Sequence, residues 1–279
     1  MFVSRGTGRP PTPVRARVLP VAAAVLGAAS VLCQILYSRT DPGQRVPWTI
    51  LTVVAFAAAS VLDAASRQGA RGVLALLGFA GVGGLAVEVL GSHTGFPFGE
   101  YAYRGDLGWS VAGVPLVVPL AWVMMAWPAL LVGRTLVGGR RWWAVALVGG
   151  WALASWDVFL DPQMVDAGHW SWASPTPALP GVEGIPLTNF AGWLVVAVTM
   201  VALLHRSLPQ RPTDVDLRVG PAPLLYLWTY GSSVWAHAFF FGRPWVALVG
   251  GVLMGAVAFP FARSVWRQGA ALAAARRRR

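Results

Sequence analysis

Three acidic residues of this chain sit where acids are expensive. Glu88, Asp157 and Asp161 fall inside or at the edge of otherwise apolar stretches, where a carboxylate is poorly solvated and is kept for a reason. Asp157 and Asp161 are four residues apart, so on a helix they share one face. Two acids stacked in a low-dielectric setting cannot both ionise cheaply, and one is expected to hold its proton. Such a pair supplies an acid and a base together, as protonation and hydration of an alkene require. The competing reading is structural: Asp161 caps a helix end ahead of Pro162, and Asp157 bonds backbone or indole N–H groups. Glu88 follows a run of small residues, Gly78, Gly81, Gly83 and Gly84. Small residues let a second helix approach closely, so Glu88 faces a tight interface or a cavity.

Other polar side chains are expected at the same level. Asn189 comes three residues after Pro186, and His237 has Ser233 one turn below it. His93, Thr94, Glu100, Tyr101 and Tyr103 occupy one loop; Gln163 and His169 occupy another. The histidines have no HxxxH-type spacing, so no metal site is expected. Cys33 is the single cysteine, which excludes an internal disulfide and any multi-cysteine metal site. The sequence has no Walker loop, dinucleotide fingerprint, Ser-His-Asp signature or DDxxD diphosphate motif. These absences argue against an ATPase, an NAD enzyme and a prenyltransferase, and no cofactor is expected.

The elements that must position these residues are membrane spans. Of the 279 residues, 56% are hydrophobic and 12% charged, about half the charge of a soluble domain. Mean hydropathy is +0.58. A span needs about 20 apolar residues, and eight segments qualify: 18–38, 46–65, 72–91, 114–133, 142–161, 186–205, 221–241 and 244–262. The expected fold is an all-α polytopic bundle. Residues 1–17 form a basic N-terminal segment, 18–266 one transmembrane domain, and 267–279 a basic tail. Arg5, Arg9, Arg15 and Arg17 ahead of the first span also fit a signal peptide. Seven further spans and no clear cleavage site favour a retained anchor. With the N-terminus inside, 18 of the 22 arginines fall on the cytoplasmic side. That bias supports eight spans in the cell membrane with both termini cytoplasmic. In such a chain a net charge of +11 marks cytoplasmic loops and anionic lipid, not nucleic acid. Asp63 and Arg67, at i,i+4 spacing on the inner end of the second span, read as a snorkelling salt bridge. Gly251 and Gly255 read as a helix-packing face.

Two long outer loops, 92–113 and 162–185, are rich in Gly, Pro and aromatics. Each runs into a similar signature: Gly113-Val114-Pro115-Leu116 with Trp122, and Gly184-Ile185-Pro186-Leu187 with Trp193. The offset is 71 residues, and applying it to Asp157 and Asp161 brackets Glu88. Residues 72–133 and 142–205 are therefore candidate copies of one hairpin, related by an axis along the membrane normal.

Three stretches carry a family resemblance: EVLGSHTGFPFGEYAY (Glu88 to Tyr103), PLVVPLAW (Pro115 to Trp122) and WDVFLDPQMVDAGHWSW (Trp156 to Trp172), followed by Gly184-Ile185-Pro186-Leu187 and Asn189. Together they resemble the integral-membrane carotenoid hydratases of the CruF type. The resemblance covers most of residues 72–200 and is weak at both ends. It implies addition of water to the terminal double bond of an acyclic carotenoid, C40 or C50, giving a tertiary alcohol. It transfers motifs but no assigned catalytic roles. On this reading Asp157, Asp161 and Glu88 are the catalytic candidates. Asn189, His237, Tyr101, Tyr103, Phe98, Trp156 and Trp172 are the substrate-binding candidates, and the expected partners are the carotenoid, the bilayer and other pathway enzymes. Trp151, Trp170 and Phe96 add further π faces for a carbocation. A polyene about as long as the hydrocarbon core places its end group near the interface, the level of the acids. The alternatives are another end-group enzyme such as a cyclase, and a transporter or carotenoid-binding scaffold.

Overall fold

The computed structural model describes residues 15–138, 141–210 and 216–277. Arg5, Arg9, Arg140, Arg211, Asp214, Arg278 and Arg279, which enter the charge count above, lie outside them. The chain is an all-α bundle: α1 (Arg15–Arg39), α2 (Val46–Gln68), α3 (Ala70–Leu76), a π-turn (Leu77–Val82), α4 (Gly83–Thr94), α5 (Val117–Val137), α6 (Trp142–Asp166), α7 (Leu187–Ser207), α8 (Ala222–Phe239) and α9 (Pro244–Arg277). Among the described residues, seven segments are long and apolar enough to cross a membrane, with α3, the π-turn and α4 forming one of them. The eighth expected span is present as α8. It falls outside the seven because Thr229, Ser232, Ser233 and His237 interrupt its apolar run.

Helices α5 and α6 form the buried centre, and α1 is the least buried span. Lipid gives no hydrophobic drive for helices to associate, so close packing must do it. At the α5–α6 crossing the backbones touch. A Cβ on Gly133 would lie 2.6 Å from the Val145 carbonyl oxygen, and one on Gly149 2.9 Å from that of Ala129. Gly251 and Gly255 pack on α8 as expected, with the Tyr230 hydroxyl donating to the Gly251 carbonyl at 3.1 Å.

The long loops are not irregular. They form short strands, β1 (Tyr101–Tyr103), β2 (Ser110–Val111), β3 (Val114–Pro115), β4 (Trp170–Trp172), β5 (Ala178–Leu179) and β6 (Val182–Pro186). β2–β3 and β5–β6 are hairpins that lead into α5 and α7. β1 pairs antiparallel with β4, Tyr101 opposite Trp172, and so ties the two loops into one cap.

Three expectations need correction. Helix α6 does not stop at Asp161 but runs through Pro162 to Asp166, because its last turns pack under β4 and β6. Asp161 is therefore not a terminal cap. Helix α9 continues past 262 to Arg277, so the basic tail begins as helix. The Asp63–Arg67 pair is fully buried, not snorkelling. Arg67 also donates to the carbonyls of Asp216 (3.3 Å) and Gly220 (3.2 Å), and Asp63 accepts from Trp127 Nε1 and the Ala222 amide, both at 2.9 Å. The pair clamps the 216–222 turn onto α2. At the same end, Arg134 binds the carbonyls that close α7, among them Leu208 at 2.7 Å.

Candidate active site

Glu88 lies on α4, one turn past the glycine run. Gly84 is what lets α5 come this close: a Cβ there would sit 3.0 Å from the Trp122 ring. The π-turn immediately upstream adds a residue to the helical repeat, a local rearrangement common at functional sites. Glu88 is 4% exposed and collects three donors. Trp122 Nε1 reaches Oε1 at 2.9 Å; the Tyr101 and Tyr103 hydroxyls reach Oε2 at 2.6 and 2.7 Å. Both tyrosines come from β1, so the strand exists in part to aim two phenols at one carboxylate. Burial, then the adjacent Glu88 charge, hold both phenols well above the ordinary tyrosine range.

Asp157 and Asp161 project from one face of α6, fully buried. The Asn189 side-chain amide on α7 donates to both, at 2.9 Å to Asp157 Oδ2 and closely to Asp161 Oδ2. Trp170 Nε1 on β4 donates to Asp161 Oδ1 at 3.0 Å. Asp157 Oδ1 meets no donor among the described residues, and the two carboxyl groups are bridged by the Asn189 amide.

The two acid clusters meet at one cavity of about 590 Å³. Glu88 and Asp161 are on its wall with Asn189, Tyr101, Tyr103, Phe98, Trp156 and Trp172. The bridge between them is aromatic. Tyr103 packs edge-on to Trp170 at 5.7 Å, and Tyr101 lies against Trp172 at the same centroid distance. Trp122 and Trp193 stack at 3.9 Å across the α5–α7 contact. Of the sequence candidates, Asp157 and His237 are not on the wall. Asp157 sits behind Asp161 and Asn189. His237 is buried beside Phe159 and Phe241, with Nε2 3.0 Å from the Phe159 carbonyl oxygen. Trp151 bonds the Leu253 carbonyl on α9, and His169 pairs with Asp106 at 3.0 Å, so neither contributes to the wall. Sequence reasoning missed Trp122 and Trp193 as site residues, although the 71-residue offset had already paired them. It also missed Gln34 and Trp228, which bring α1 and α8 to the wall.

A family model described as carotenoid biosynthesis protein matches residues 48–230. The chain belongs to the carotenoid biosynthesis protein family. A curated relative, the bisanhydrobacterioruberin hydratase of Haloarcula japonica, is 30% identical over 196 residues. The match covers 65% of this chain and 65% of that relative. No solved structure matches. The region shared with the carotenoid biosynthesis protein family contains both acid clusters, Asn189 and the whole strand cap. It leaves out α1, which supplies one flank of the cavity, and α9, which packs on α6 and α8.

Proposed function

We propose that this protein adds water to the terminal C=C bond of an acyclic carotenoid end group. The observation that carries the reading is the meeting of a paired acid and a separately held acid at one aromatic-walled cavity. The pair has an acceptor oxygen to spare and takes a proton to fill it. Asp161, the member on the wall, delivers that proton to the CH carbon of the trisubstituted alkene. Positive charge then develops on the tertiary carbon, where the faces of Trp156, Trp172 and the tyrosines stabilise it. Asn189 spends its N–H groups on the aspartates, so orienting the water falls to Glu88. Three donors match the charged form of Glu88, which accepts the water proton as the C–O bond forms. Return of that proton to the aspartates closes the cycle. No electrons are exchanged, so the step needs no redox cofactor. The relative's name, a hydratase, supports the reaction class.

The test is expression in a lycopene-producing host. The expected pigment is heavier by one water with an unchanged chromophore. Unmodified lycopene in cells with confirmed membrane expression would count against hydration, and an isomer of unchanged formula would identify a cyclase.

The arginine bias supports an arrangement with both termini cytoplasmic and the cap at the outer face of the cell membrane. We also infer that residues 72–133 and 142–205 are copies of one hairpin. Supporting this, Trp122 stacks on Trp193 and Tyr101 pairs with Trp172, each partner 71 residues on, and a hairpin precedes both α5 and α7. The copies diverge in their acids: one keeps Glu88, the other the aspartate pair.

A further inference from the structure

The cavity does not end at the acids. Its wall continues between α1 and α8, a seam outside the region where the sequence motifs lie. Helix α1 packs lengthwise on α2 but meets α8 at few points. Gly27 faces Leu225, Trp228 Nε1 donates to Gln34 Oε1 at 2.8 Å, and Tyr37 packs edge-on to Phe241 at 6.1 Å. Four hydroxyls along this wall are turned back on their own helices: Thr49 to the Arg45 carbonyl, Ser38 to Ile35, Thr229 to Leu225 and Ser232 to Thr229. What they present to the cavity is mostly hydrocarbon. On the lipid side the seam is flanked by exposed Leu32, Ile35 and Trp235.

We propose that the α1–α8 seam is the binding track for the polyene chain, and that the Gln34–Trp228 hydrogen bond is its latch. The proposal rests on the hydratase reading and names where the rest of the substrate goes. A rigid rod about as long as the ~30 Å hydrocarbon core does not fit wholly inside a cavity of about 590 Å³ that the strand cap roofs over. Only its end group reaches Asp161 and Glu88. The remainder must leave sideways, and the seam is continuous with the cavity, thinly bridged and flanked by the exposed Leu32, Ile35 and Trp235. Opening it breaks one neutral hydrogen bond and an edge-on ring contact.

The experiment uses the full chain with Cys33→Ser, Gln34→Cys and Trp228→Cys in vesicles, bridged by a short reducible bis-thiosulfonate reagent. Two substrates are compared: lycopene, and geraniol, which carries the same terminal alkene without the polyene. The reduced protein should hydrate both. The bridged protein should lose lycopene turnover and keep geraniol turnover, and reductant should restore the former. Equal lycopene turnover in bridged and reduced protein overturns the track. If the reduced protein hydrates neither substrate, the hydratase reading falls, and the track is judged by co-purifying pigment: lycopene retained by reduced protein and excluded by protein bridged beforehand supports it, and equal pigment overturns it. As a milder variant, Trp228→Phe keeps the ring and drops the N–H. It should raise the ratio of lycopene to geraniol turnover by about two- to tenfold; an unchanged ratio contradicts a latch.

Discussion

Glu88 is held by donors from two elements that are distant in sequence, Trp122 on α5 and the two phenols of β1. A carboxylate fixed in this way cannot swing away, and its reach is limited to what enters the cavity. Glu88→Gln and Asp161→Asn should each lower turnover by roughly 10²–10⁴-fold with membrane insertion intact, whereas Glu183→Gln, on the exposed face of β6, should leave it unchanged; pigment analysis of the three strains reads the difference. The tyrosines also set an alkaline limit. Unfolded tyrosine titrates near pH 10, and the folded protein holds both protons to higher pH. Their contribution to stability is therefore full below about pH 10 and is lost as pH rises beyond it. Melting in detergent across that range should show the fall, and Tyr103→Phe should make it shallower. The acids themselves were legible from sequence because charge in an apolar run has few innocent explanations. Their partners were not: nothing in the spacing of Trp122, Trp170 or Asn189 says which carboxylate each will meet, since those contacts are made across helices and strands. His237 looked equivalent to Asn189 by depth alone, but depth does not fix the direction in which a side chain points.

At the level of elements, span existence and approximate ends followed from hydropathy, and the cap did not. Strands of two to five residues carry too little periodicity to stand out from a loop rich in Gly and Pro, and β1–β4 is a long-range pairing invisible to local pattern. The cap is held down by close approaches. A Cβ on Gly192 would meet the Pro97 carbonyl oxygen at 2.6 Å, and one on Gly91 the Phe98 ring at 2.8 Å. Gly192→Ala should therefore lift the 97–103 segment off α7, cost about 1–3 kcal/mol and lower activity through displaced phenols; loss of activity without a lower melting temperature would contradict this. The opposite end of the bundle makes a different prediction. Because Asp63 is buried against Arg67 and also accepts from Trp127 and the Ala222 amide, Asp63→Ala takes the carboxylate out of the clamp, a change of about 3–5 kcal/mol. Reduced yield and early thermal aggregation should report it, although the site is far from the cap. Sequence spacing had placed this pair at a water interface because i,i+4 partners usually lie there; the 216–222 turn that covers it comes from a stretch with no hydropathy signal.

The whole molecule is asymmetric across the membrane: a strand-roofed cavity at one end, arginine clamps at the other. A reporter fused after Arg279 should be active only in the cytoplasm, and Glu183→Cys in a Cys33→Ser background should react with an impermeant thiol reagent from outside; the reverse pattern would invert the topology. Helix α8 bears on how this arrangement is reached during synthesis. Thr229, Ser232, Ser233 and His237 interrupt its apolar run, and its 18 residues are a poor substrate for the translocon taken alone. Only a short turn separates it from α9, with which it packs closely. The two are therefore expected to enter the bilayer as a hairpin, α9 carrying α8 with it. With both termini cytoplasmic, as proposed above, a ribosome stalled before α9 has emerged would hold a chain with α8 still on the cytoplasmic side, so completion of the cavity wall would wait for α9 to be translated.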